Sequence, residues 1–111
     1  MHKVYIYEPK NKSILTYSAR LNEKGISDLA GVPPLKENIS DRLQIRFRID
    51  ENLNQSELCC WQLDDKRNIK RCYAGIVIFE GIDENGGSRD INTEDILYIQ
   101  RHFEPYQYAR F

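Results

Sequence analysis

Cysteine, histidine and long apolar runs are scarce in this chain of 111 residues, and each scarcity excludes a class of chemistry. Cys59 and Cys60 are adjacent and Cys72 stands alone, an odd count with no C-x-x-C spacing. That leaves no zinc site or redox pair to assemble, and reduced thiols packed in strands are expected. The histidines, His2 and His102, stand at opposite ends without an Asp or Glu cluster at ligand spacing, so no metal centre is indicated and no Ser-His-Asp or Cys-His constellation stands out beyond the presence of the residues. Asn85-Gly86-Gly87 lacks the Lys-Ser/Thr of a phosphate loop. No apolar segment has the length of a bilayer span, and the run within Met1 to Lys10 is too short for a signal peptide. The expectation is a cytoplasmic protein without membrane insertion. Charge of one sign is missing too: 16 Lys and Arg against 17 Asp and Glu give a net −1, with no global field to attract nucleic acid. These exclusions point away from an enzyme, with no catalytic residue, metal ligand or cofactor to name.

What is present is β-strand pattern. Apolar residues at 41% and charged ones at 30% describe a folded chain, and its length suits a single domain over residues 1–111. In Arg42 to Ile49, Leu43, Ile45, Phe47 and Ile49 alternate with Arg42, Gln44, Arg46 and Arg48, which predicts a half-buried strand with a solvated arginine face. Glu57 to Leu63 and Cys72 to Ile82 also have strand composition, so three consecutive antiparallel strands are expected to frame the fold. Trp61 is their expected core anchor, and Arg71 to Ile82, apolar on both faces, reads as one strand covered on both sides.

Before that frame, Val4 to Tyr7 and Ile14 to Leu21 predict a hairpin about the polar segment Pro9 to Ser13. Asn22 to Gly25 reads as a turn with Gly25 at positive φ, followed by a short strand from Ile26 to Leu29. Gly31, Pro33 and Pro34 make Ala30 to Ser40 a loop. Asp50 to Asn54 is a turn, Asp64 to Lys70 a charged hairpin loop, and Asp83 to Asp90 a flexible connection. Asn92-Thr93-Glu94-Asp95 starts a helix running from Thr93 to about Phe103. Its stripe of Ile96, Ile99 and Phe103, with Leu97 beside it, suits closure of one mouth of a curled sheet, and His102 suits its carbonyl end. The expected architecture is a mainly β, small antiparallel barrel, partly closed and capped by the C-terminal helix.

The stretches SARLNEKGIS, CCWQL and YAGIVIF, in this order and followed by a terminal helix, resemble the PilZ domain, a small bacterial β-barrel that often binds cyclic di-GMP. The first is similar to the family's D/N-x-S-x-x-G turn, the second to its valine-tryptophan strand, and the third to its G-x-x-F strand. The likeness spans nearly the whole chain. It departs at the N-terminal R-x-x-x-R motif, because residues 1–18 contain no Arg. The resemblance implies a signalling or adaptor module that binds a partner protein or, weakly, cyclic di-GMP. Dinucleotide contacts would fall to Arg20, Asn22 and Gly25, with Lys10 and Lys12 supplying charge, although Lys lacks the planar fork of Arg.

Arg42 with Arg46, and Arg67 with Arg71, repeat the R-x-x-x-R spacing elsewhere. Their strand and hairpin positions support an alternative class, a single-stranded nucleic-acid binder using the Arg42, Arg46 and Arg48 face. The pI near 6.1 and the absence of stacked aromatics among those arginines on the strand argue against it. The final residues concentrate Leu97, Phe103, Tyr106, Tyr108 and Phe111, an aromatic set expected to contact a protein partner or a second copy in a homodimer. The competing expectation is that this tail covers the barrel mouth.

Overall fold

Asn11 and Lys12 both adopt positive φ, at 53° and 59°, giving the two-residue turn whose twist matches paired antiparallel strands. It joins β1 (His2–Lys10) to β2 (Ser13–Leu21) in unbroken register from His2↔Leu21 to Lys10↔Ser13, so the predicted hairpin is present and longer than expected. The computed structural model describes residues 1–31, 34–48 and 57–107, and the turn expected between Asp50 and Asn54 lies outside them. Then follow α1 (Glu23–Ala30), β3 (Leu35–Asn38), β4 (Leu43–Phe47), β5 (Leu58–Leu63), β6 (Ile69–Ala74), β7 (Val77–Ile82), β8 (Ser88–Arg89), α2 (Thr93–His102) and β9 (Phe103–Pro105). The strands form two antiparallel sheets, one ordered β2-β1-β7-β4-β3 with β8 on β7, the other β6-β5-β9. The fold is mainly β with a C-terminal helix, but its sheets are not closed into a barrel.

The expected three-strand meander is absent. Strand β4 pairs with β3 and β7, while β5 pairs with β6 and β9. The apolar run from Arg71 to Ile82 is divided at Gly75, whose φ of 74° ends β6 and lets the chain cross to the other sheet as β7. The segment from Ile26 to Leu29 is helical, not extended. Asn22 caps α1 by accepting from the Gly25 N–H at 2.8 Å, and Ile26 and Ala30, four apart, bury one face. Gly25 lies inside that helix and outside the positive-φ set. The expected loop over Ala30 to Ser40 contains the edge strand β3. The connection expected to be flexible is a pinned turn, where Asp83 accepts from the N–H groups of Asn85 and Gly87 at 2.9 and 2.7 Å.

The core has two layers. Between the sheets, Tyr5, Tyr7, Ile45, Phe47 and Phe79 meet Cys59, Cys60 and Tyr73, with Ile99 and Phe103 closing one end. On the opposite face of the larger sheet, Ile26 and Ala30 of α1 cover Val4, Ile6 and Ile78. That second cover buries all of β4, which corrects the reading of a half-buried strand. Trp61 is not a core anchor. An irregularity between Leu58 and Cys60 turns both Cys59 and Cys60 inward and leaves the half-buried indole against Tyr106, with ring centroids 5.5 Å apart.

Helix α2 is fixed by its cap and by one arginine. Asn92 and Asp95 form a reciprocal capping box, and Arg89 forks onto the Asp95 carboxylate at 2.7 and 3.0 Å. The same guanidinium donates to the carbonyls of Arg42, Ile82 and Asp90. Its side chain crosses Gly81, where a Cβ would lie 2.7 Å from Arg89 Cγ, so the glycine is required by this close approach. Burial raises the Asp95 pKa, but hydrogen bonds from Arg89 and the Asn92 backbone outweigh it and hold the carboxyl below its ordinary value. A depressed folded pKa contributes stability above the unfolded value, about 3.9, and loses it as pH falls through the folded one. Thermal midpoints are therefore expected to fall below about pH 4, with a flatter acid limb in Asp95→Asn; identical acid limbs would contradict this role.

Candidate functional site

A buried polar cluster lies on the α1 side of the larger sheet, around a carboxylate with no solvent exposure. Glu80 follows Phe79 on β7, so strand alternation turns Phe79 into the inter-sheet core and Glu80 toward α1. Its side chain is 0% exposed. Gln44, directly across on β4, donates its amide to Glu80 Oε1, and Arg46 Nη1 donates to the same oxygen at 3.0 Å. His2 Nε2, at 2.7 Å, donates to Oε2, the role open to a ring nitrogen beside an ionised carboxylate. The Arg46 guanidinium, 6% exposed, also forks onto Glu23 in the first turn of α1. That hydrogen bond is the main cause holding the Glu23 carboxyl below its ordinary value.

The arrangement is a lock between β1, β4, β7 and α1. Both Glu80 oxygens are occupied by charge-assisted or amide donors, which tie the carboxylate to β1, to β4 and, through Arg46, to α1. Glu23, 68% exposed, is where the cluster reaches solvent. Arg46 Nε is buried without a hydrogen-bond partner. No spacing or motif in the sequence marks His2, Gln44, Arg46 and Glu80 as a unit. The signal available for the cluster is Glu80 itself, a charge inside the apolar run GIVIFEGI, where an unpaired carboxylate would be prohibitive.

The expected ligand residues divide between the two ends of the first hairpin. Lys10 and Lys12 lie at its turn; Arg20 lies near the opposite end of β2 and Asn22 and Gly25 just beyond it, roughly 25 Å away at ~3.4 Å per residue. Arg20 is exposed and 3.4 Å from Asp90. Asn22 has its side-chain oxygen engaged as the α1 cap, and a Cβ on Gly25 would approach Leu21 Cδ2 to 3.2 Å.

The arginine face is not a continuous solvated surface. Arg42 and Arg48 are exposed, but Arg46 is buried because α1 covers the strand between them. In the other R-x-x-x-R pair, Arg67 donates to the Arg101 carbonyl at 2.7 Å. Arg71 contacts both oxygens of Glu37 at 2.8 Å and lies over the Phe47 and Tyr73 rings, 4.7 and 5.1 Å from their centroids. It thereby ties β3 of one sheet to β6 of the other. Of the expected partner residues, Leu97 is 60% exposed and Phe103 is wholly buried. Tyr106 packs on Trp61, while Tyr108 and Phe111 lie outside the described residues.

All three thiols are free. Contact with the Cys59 thiol and burial push the Cys60 pKa up, the opposite of activation. Among the described residues no group of three His, Cys, Asp or Glu side chains is placed to hold a metal, and no helix is long and apolar enough to cross a membrane. Comparison with protein-family models, curated proteins and solved structures finds no match for the chain.

Proposed function

We propose that the chain is a small, non-enzymatic signalling or adaptor module of PilZ-like type that acts through a protein partner. The observation that carries this reading is the fate of the basic side chains. Arg46 is paired with Glu80 inside the fold and Arg71 with Glu37 at the surface, and Lys10 and Lys12 are a hairpin's length from Arg20 and Asn22. A cyclic dinucleotide needs several cations converging on its phosphates and guanines, whereas a protein partner needs exposed surface of mixed character. Helix α2 offers such surface: Glu94, Leu97, Tyr98 and Arg101 line a shallow depression of about 490 Å³, and Leu97 is exposed there.

Calorimetric titration with cyclic di-GMP is expected to give no heat at micromolar ligand. Proteins retained by the tagged wild type are expected to be lost with Leu97→Asp, whose melting temperature should stay close to that of wild type because the side chain is exposed. Micromolar dinucleotide binding, or an unchanged set of retained proteins, would overturn the reading.

A further inference from the structure

The outer edges of the two sheets are β2, β3, β6 and β9, and all but β2 carry devices that discourage another strand. Strand β3 is short and contains Lys36 and Glu37. Strand β6 contains Lys70 and Arg71 and pairs irregularly with β5, while β9 is a short strand ending in Pro105. Lysine, proline, irregularity and shortness are the usual protections of an edge. Strand β2 has none of them: it runs for nine residues in unbroken register, with Arg20 its one charge. Among the described residues no strand pairs with its outer side.

The direction of the free backbone groups follows from the hairpin. A two-residue turn closes on Lys10 and Ser13, so Ser13, Leu15, Tyr17, Ala19 and Leu21 exchange hydrogen bonds with β1. On β1 the same alternation turns Lys3 away from β2, where its N–H donates to Asp90 and its carbonyl accepts from Ile91. On β2 it turns the N–H and C=O groups of Ile14, Thr16, Ser18 and Arg20 outward, in an open and regularly spaced row.

We propose that β2 pairs with β2 of a second copy of this chain, antiparallel about a two-fold axis at Tyr17, making one continuous sheet from the two larger sheets. In this register Thr16 faces the partner's Ser18, Ile14 faces the partner's Arg20, and Leu15 faces the partner's Ala19. Each residue keeps its own face of the sheet, as the period of two requires. No like charges meet within the strand pair, since the two Arg20 side chains stand roughly 20 Å apart at ~3.4 Å per residue. The interface is isologous and therefore closed at two copies. It is independent of the Leu97 surface on α2.

Sedimentation velocity over a concentration series tests the pairing. The wild type is expected to shift toward twice its 13.1 kDa as concentration rises. Thr16→Lys/Ser18→Lys opposes Lys to Lys across the axis, Thr16→Glu/Ser18→Glu opposes Glu to Glu, and each variant alone is expected to remain monomeric. Both positions are exposed, and an equimolar mixture is expected to restore the dimer mass by opposing Lys to Glu. A wild type that stays at 13.1 kDa, charged variants that dimerise as wild type does, or a mixture that stays monomeric would each overturn the pairing.

Discussion

Arg46→Ala is expected to destabilise the fold by about 3–5 kcal/mol, the range for stripping one partner from a buried ion pair. The substitution leaves the Glu80 carboxylate at 0% exposure with only His2 and Gln44 as donors, empties the guanidinium's volume beneath α1, and releases Glu23. Against a total stability of about 5–15 kcal/mol for a domain, that loss is severe. Denaturant titration should show a lower midpoint with little change in slope. Glu23→Gln is the control: it removes the exposed arm of the same network, and screening there limits the loss to under about 1 kcal/mol. Equal losses in the two variants would show that Glu80 does not depend on Arg46. Replacing Arg46 and Glu80 together by Met and Leu should recover much of the loss, since apolar substitutes require no charge compensation.

The fold is legible in the sequence where structure is decided locally. The first hairpin and α2 were legible because a polar turn between β-rich segments and an Asn-x-x-Asp start are short-range signals. Helix α1 was not, because Asn22 to Gly25 suits both a turn and an N-cap, and the choice depends on Ile26 and Ala30 finding Val4, Ile6 and Ile78. The same distant cover made Gln44 and Arg46 buried while their alternation suggested a solvated face. Strand pairing was harder still: Gly75 divides an apolar run between two sheets, and apolarity alone does not mark the division. The candidate ligand set joined Lys10 and Lys12 to Arg20 and Asn22 through proximity in sequence. An antiparallel hairpin with nine-residue strands places those groups at opposite ends.

Phe103→Ala is expected to be the most damaging change near the C-terminus, and it separates the two roles expected for the aromatic tail. The Phe103 ring has no solvent exposure and packs edge-on to Phe79 with centroids 4.9 Å apart. Its carbonyl accepts from the buried Tyr7 hydroxyl at 3.0 Å, and its own N–H donates to Ile99 at the end of α2. There the chain leaves the helix and enters β9, which pairs Phe103, Glu104 and Pro105 with β5. Truncating such a residue costs about 3–5 kcal/mol through lost transfer energy and the cavity left behind, a fall in melting temperature on the order of 10–20 °C for a domain of this size. Leu97→Ala, six residues earlier on the exposed side of α2, should change stability by about 0.5 kcal/mol or less. Deleting residues 104–111 should fall between these limits, because it removes most of β9 and the Tyr106 packing on Trp61 but leaves the Phe103 ring in place. The order Phe103→Ala, then the deletion, then Leu97→Ala in falling severity by thermal denaturation makes the start of the tail part of the core; a deletion that leaves the midpoint unchanged would contradict it.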